Sequence, residues 1–216
     1  MSHPECSTIT AIEPQARNRD RVNVFIDGQW VTGVHAEVAV AAGLRVGQVI
    51  GAEQLRELTH AEEVRKARDG ALRLLGYRAR SRAELRGRLL QKGYDPGLVE
   101  EVLAGLERSG LINDAEFSES WVRARTGSRP MGRSRIAAEL RGKGVDRELI
   151  DEALRGLEPD VELDLALAVG RRKIAQLRTA DVPTARRRLG LALMRRGFPP
   201  DVCRRALDLL IQADEE

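Results

Sequence analysis

The 216-residue chain carries 42% hydrophobic and 32% charged side chains but only 3% aromatic ones, a composition for one or two compact units of helices packed through Leu, Val and Ala, not for a β-sandwich or barrel. Thirty-six Lys and Arg oppose 33 Asp and Glu for a formal net charge of +3, so the local placement of charge, rather than its total, decides which partners are attracted. No stretch approaches the ~20 apolar residues of a membrane span, the first twenty residues have no apolar signal core, and Cys6 and Cys203 offer neither a disulfide framework nor metal-ligand spacing; the expected setting is a reducing cytoplasm.

Residues 1–16, with Pro4, Ser7, Thr8, Pro14 and no helical period, are expected to form a flexible leader. A small β/α unit follows over 17–58. Val22, Val24 and Ile26 alternate with Asn23 and Phe25, Asp27-Gly28 is a tight-turn signal, and Trp30, Thr32 and Val34 continue beyond it, which predicts a β-hairpin. The Ala/Val segment 36–42, an apolar run from Leu44 to Ile50 and a helix around Leu55 and Leu58 complete the unit. From Thr59 onward every strong signal is helical. Thr59 with Glu62, and Ser81 with Glu84, have capping-box spacing, in which cap oxygen and acid each satisfy an orphaned backbone N–H. Asp95 suits an N-cap and Pro96 the first helical position, while Gly93, Gly144 and Gly197 each follow a Lys or Arg where a left-handed helix stop favours glycine.

The segment SRAELRGRLLQKGYDPGLVEEVL from Ser81 aligns without gaps with GRSRIAAELRGKGVDRELIDEAL from Gly132 and with ARRRLGLALMRRGFPPDVCRRAL from Ala185. Leu85, Ile136 and Leu189 correspond, as do Leu89, Leu140 and Leu193, then Leu98, Leu149 and Val202, then Leu103, Leu154 and Leu207. Each copy follows an amphipathic helix, around Val64 to Leu75, Phe117 to Val122, and Leu163 to Ile174. Three three-helix repeats are therefore expected over 59–112, 113–158 and 159–216. A unit of ~50 residues buries a limited core, so neighbours should stack into an elongated, solenoid-like body. The expected fold is mainly α: three tandem repeats preceded by a small unit containing a β-hairpin.

GLINDAEFSESWVRAR over 110–125, RPMG over 129–132 and the run Ile136, Glu139-Leu140, Lys143-Gly144 resemble the central repeat of the RecX family. RVNVFIDGQW and GLRVGQVI resemble the small β-containing extension of its longer members, and ALRLLGYRARSRAEL over 71–85 resembles its first repeat; the likeness spans about residues 20–212. The resemblance implies a regulator of recombination and DNA repair that binds the RecA–DNA filament and restrains its growth, strand exchange and co-protease signalling. It brings no catalytic residue and no cofactor. The partners it implies are the RecA filament and single- or double-stranded DNA bound largely without regard to sequence. No membrane partner is expected, and the chain is expected to act as a monomer.

Charge is segregated by helix. Arg78, Arg80, Arg82, Arg86, Arg88 and Lys92 oppose only Glu84; Arg123, Arg125, Arg129, Arg133, Arg135, Arg141 and Lys143 oppose only Glu139. Between Arg171 and Arg205 eleven basic residues, among them Arg171, Arg172, Lys173, Arg186, Arg187, Arg188, Arg195 and Arg196, oppose Asp181 and Asp201. The following helices are acidic in the first two repeats (Glu100, Glu101, Glu107; Glu148, Asp151, Glu152, Glu158). If the repeats keep a common orientation, the named basic residues form one stripe suited to phosphates or to an acidic protein surface; the competing account is a set of solvated or locally paired charges, each exposed pair contributing ~0–1 kcal/mol. Only four of the 36 basic residues are lysine (Lys66, Lys92, Lys143, Lys173); arginine suits bidentate contact, though a GC-rich coding sequence yields the same surplus.

An independent DNA-binding repeat protein is the alternative. Helix-turn-helix reading of the major groove is disfavoured because Glu100-Glu101 and Asp151-Glu152 fall on the would-be recognition helices. Phe117 and Trp121, four apart beside Val122, fit a core face better than a base-stacking platform; Tyr77 and Tyr94 suit contact or packing equally. His3, His35 and His60 are scattered, and Asp160, Glu162 and Asp164 are better placed to complement a helix N-terminus than to hold a catalytic metal, so no enzyme is expected.

Overall fold

The computed structural model describes residues 6–174 and 181–212; His3 and Arg178 lie outside them. The chain forms two compact units, one comprising the described residues through Arg78 with Arg86–Arg108, the other Ala79–Leu85 with the described residues from Ser109 onward.

In the first unit β1 (Cys6–Gln15), β2 (Asn18–Ile26), β3 (Gln29–His35) and β4 (Val49–Gly51) form an antiparallel sheet in the order β3-β2-β1-β4. The expected hairpin is present: Ile26 pairs with Gln29 across Asp27 (φ 49°) and Gly28 (φ 81°), two successive left-handed residues whose twist matches that of the strands. The expected leader is a correction, because residues 6–15 are an inner strand with Ile9 fully buried. A register shift between Ile9 and Ala11 breaks the period-two pattern that would have revealed it, so Ile9 and Ile12, three apart, face one core with Val24, Ile26, Val34 and Leu58. Pro14 is tolerated because it sits beside a second shift at the strand's end.

α1 (Ala36–Ala41) and α2 (Ala52–Tyr77) follow. α2 corrects a second expectation: Thr59 begins no helix, and the boundary placed there falls inside one 26-residue helix. No Gly or Pro interrupts Ala52–Ala67, and the Thr59 hydroxyl donates back to the Leu55 carbonyl at 2.8 Å. Glu62, its supposed capping partner, is 2% exposed and accepts from the His35 N–H at 2.7 Å and pairs with Arg21 at 2.6 Å. Burial pushes this carboxyl up, yet the His35 and Arg21 hydrogen bonds and the charges of Arg21 and Lys66 bring it below the ordinary value. α3 (Arg82–Gln91), shared between the units, and α4 (Pro96–Arg108) complete the first repeat; Asp95 caps α4 by accepting from the N–H groups of Gly97 and Leu98.

The second unit holds α5 (Asp114–Thr126), α6 (Arg133–Gly142) and α7 (Arg147–Ala153), then α8 (Pro159–Ile174), α9 (Val182–Arg195) and α10 (Pro200–Gln212). The triplicated apolar positions are interior at Leu85, Leu89, Leu98, Leu103, Ile136, Leu140, Leu154, Leu189, Leu193 and Val202, and half-buried at Leu149 and Leu207. Each such side chain contributes about 1.5–3 kcal/mol when fully buried. The glycine stops are left-handed as expected, at φ 86° for Gly93, 71° for Gly144 and 82° for Gly197. Phe117 lies in the core of the second repeat with Trp121 packed against it, whereas Tyr77 is 85% exposed. No helix among the described residues is long and apolar enough to cross a membrane.

Candidate functional site

Within the second unit a joint between successive repeats occurs twice. The acid of a first helix takes an N-terminal N–H of the preceding middle helix: Arg82 N–H donates to Asp114 at 2.8 Å, and Arg133 N–H to Glu162 at 2.8 Å. The start of each middle helix then sits on the C-terminal turn of the next one, Ser81 Oγ donating to the Lys143 carbonyl at 2.6 Å and Gly132 N–H to the Arg196 carbonyl at 2.9 Å. The Ser81–Glu84 capping box closes as expected, with reciprocal bonds of 3.3 and 3.1 Å. The approach requires glycine: a Cβ on Gly132 would lie 2.3 Å from the Gly197 carbonyl oxygen, and one on Gly197 2.4 Å from the Arg135 Cβ. Glu162 is 2% exposed, and burial pushes its carboxyl up, only partly countered by the Arg133 N–H.

This joint shapes a basic cleft. A cavity of about 310 Å³ is lined by Arg129, Pro130, Val169, Arg172, Lys173, Ala192 and Arg196. A neighbouring one of about 610 Å³ shares Lys173, Ala192 and Arg196 and adds Arg135, Arg188, Leu191 and Arg195. Backbone carbonyls hold three of these guanidinium groups: Arg172 donates to Ser128 O at 2.6 Å, Arg196 to Pro130 O at 3.0 Å and Arg135 to Arg195 O at 2.9 Å. A carbonyl fixes the side chain without cancelling its charge, and a guanidinium with five N–H donors keeps others for a ligand; of the three, Arg135 also pairs with the Glu139 carboxylate at 3.7 Å. Among the described residues no carboxylate pairs with Arg129, Arg172, Arg188, Arg195 or Arg196, and no acid lines either cavity. Asp181 is engaged in capping α9; its carboxyl is held below the usual range by hydrogen bonds from Thr184, with a smaller contribution from the charge of Arg188.

Seven of the residues singled out from sequence thus share one cleft. Others are drawn elsewhere. Arg125 is half-buried, bonded to Glu139 at 2.7 Å and stacked 4.1 Å from the Trp121 ring; Lys143 pairs with Glu84 at 3.0 Å and lies 4.2 Å from the same ring. Burial raises the Glu139 carboxyl, but hydrogen bonds from Arg125 and Trp121 and the charges of Arg125 and Arg135 more than offset this and leave it lowered. These cations brace Trp121. Arg186 pairs with Asp208 at 2.6 Å, Arg123 with Glu119 at 3.5 Å and Arg86 with Glu100 at 2.6 Å. Arg133 is half-buried at the joint, Arg88 donates to Gln91, and Arg141, Arg171 and Arg187 are exposed outside the two cavities. In the first repeat Arg78 and Lys92 are exposed, Arg80 and Arg82 half-buried. The carboxylates weighed for a metal diverge: Asp160 pairs with Arg205 at 3.1 Å, Glu162 is inside the joint and Asp164 is exposed.

Sequence inspection missed the apolar part of the cleft, Val169, Leu191 and Ala192. A signal existed: Leu191 occupies the slot filled by Gly87 and Ala138 in the other repeats, a large side chain on an exposed face.

Family models match four segments: the regulatory protein RecX N-terminal domain at residues 7–51, and the RecX first, second and third three-helix domains at 67–106, 113–154 and 160–207. Regulatory protein RecX of Amycolatopsis mediterranei is 40% identical over 143 residues, 66% of this chain and 82% of the relative. The Bacillus velezensis protein is 32% identical over 203 residues, 93% of this chain and 76% of the relative. The Clostridioides difficile protein is 28% identical over 207 residues, 96% and 97% of the two chains. A crystal structure of regulatory protein RecX superposes with a TM-score of 0.78 at 25% identity, covering 94% of this chain and 99% of that one. That of RecX from Lactobacillus salivarius gives 0.63 at 23% identity, over 71% and 97%.

Proposed function

Because this chain belongs to the RecX family of regulatory proteins, we propose that it regulates recombination and DNA repair by binding the RecA–DNA filament and restraining its assembly, strand exchange and co-protease activity, without catalysis of its own. The observation that carries the role of this surface is the convergence of seven basic side chains in one cleft with no acidic lining among the described residues. A low-dielectric concavity lined by one sign of charge concentrates and orients a partner of the opposite sign. Arg188 and Arg195, whose side chains make no bond to the joint among the described residues although the Arg195 carbonyl accepts from Arg135, are the side chains for contact rather than construction.

The test is RecA ATP hydrolysis and DNA strand exchange with added protein. The wild type is expected to suppress both, and Arg188→Glu with Arg195→Glu to lose suppression while the unfolding midpoint holds. No suppression by stoichiometric wild type refutes the assignment. The same charge would also attract DNA alone; that alternative predicts an affinity independent of RecA that falls steeply with salt.

A further inference from the structure

Leu191 is 42% exposed and Met194 51% exposed, on the outer face of α9. Arg188 and Arg195 lie three residues before and four after Leu191, so helical spacing puts both cations on the same face as this apolar pair. Leu191 and Ala192 continue into the cleft, where Val169 completes an apolar floor under the basic rim. Among the described residues no aromatic side chain lines either cavity.

A nucleic-acid strand is poorly served by this mixture. Its phosphates would have to lie over Leu191 and Met194 and lose hydration without compensation, and its bases would find no ring to stack on. A protein segment is well served. Its carboxylates take the guanidinium forks bidentately, and one of its apolar side chains covers the floor and the exposed pair.

We propose that the occupant of the cleft is an acidic protein segment with an apolar anchor, in which carboxylates flank a Leu- or Phe-type side chain seated against Leu191, Ala192 and Val169. This deepens the partner-binding role proposed for the cleft and rests on it. The anchor supplies affinity that salt does not remove, while the rim supplies orientation and encounter rate.

The probes are a fluorescein-labelled acidic peptide with a central Leu, the same peptide with that Leu replaced by Ser, and an oligothymidylate of equal charge, titrated against the full chain by anisotropy. The Leu peptide should bind at least about tenfold tighter than the Ser peptide, the contribution of one buried anchor. Leu191→Ser with Met194→Ser should abolish that preference without weakening the oligothymidylate binding. Absence of peptide binding, equal affinity for the two peptides, or an oligothymidylate bound more tightly than the Leu peptide overturns the proposal. The filament assay separates the two levels. A Leu191→Ser, Met194→Ser variant that still suppresses RecA fully, beside an Arg188→Glu, Arg195→Glu variant that does not, removes the anchor and leaves the cleft. Full suppression by both variants removes the cleft as well.

Discussion

Gly197→Ala is expected to open the joint on which the cleft depends. Two separate effects add at this position. The residue is left-handed, at φ 82°, which costs a residue with a Cβ about 1–2 kcal/mol. The new Cβ would also lie 2.4 Å from the Arg135 Cβ and 2.5 Å from its backbone nitrogen. Backbone cannot rotate aside, so the helix start must move, an overpacking effect of about 1–3 kcal/mol. Gly110→Ala in the same unit is the internal reference: its φ is 70°, and a Cβ there would meet nothing within 4 Å. Denaturant unfolding followed by Trp121 fluorescence, in a Trp30→Phe background, reads the second unit alone. The reference should lose about 1–2 kcal/mol, and Gly197→Ala about 2–5 kcal/mol by the sum of the two effects. Equal losses at the two positions would show that the tight approach of the repeats contributes nothing, and with it the account of how Arg135 and Arg196 are placed.

The buried acids should give opposite pH responses. Burial raises the Glu162 carboxyl above its ordinary 4.5, so the folded state holds this proton more tightly than the unfolded one and the second unit loses stability as pH rises from 4.5 through the raised value; Glu162→Gln, which keeps an acceptor for Arg133, should increase stability at neutral pH and flatten that slope. A destabilised Glu162→Gln variant at neutral pH would contradict this. Glu62 is lowered below 4.5, so its contribution is complete above that pH and is lost as pH falls through the folded value; Glu62→Ala, leaving Arg21 unpaired, should cost about 3–5 kcal/mol, read by amide exchange in β2. Arg196→Ala, which removes the bond to the Pro130 carbonyl, should lower both partner binding and the unfolding midpoint, unlike Arg188→Ala, which should lower binding alone; thermal melts beside the filament assay decide it.

What could be read without coordinates was local. The Asp27-Gly28 turn, the Ser81–Glu84 box, the Asp95 cap and the three glycine stops depend on residues within a few positions of one another. Where the local pattern was interrupted or ambiguous, inspection failed. The bulge after Ile9 hid β1, and at Thr59 a capping-box spacing lost to an unbroken run of helix formers because Glu62 had a stronger partner in Arg21, 41 positions away.

The apolar period and its triplication are properties of the sequence itself, and the second and third repeats close most of their cores with their own residues, as Phe117, Ile136, Leu140 and Ile150 do in the second. Which arginines converge is a property of the tertiary structure. Arg125 and Arg172 carry the same charge and similar helix-end positions, yet one is spent against Glu139 and Trp121 and the other is pinned to a carbonyl beside the cleft. Their fates depend on the angle between repeats, set by Glu162 on Arg133 and Gly197 against Arg135. Contacts between residues 29 and 62 positions apart leave no period in a linear pattern; packing alone brings them together.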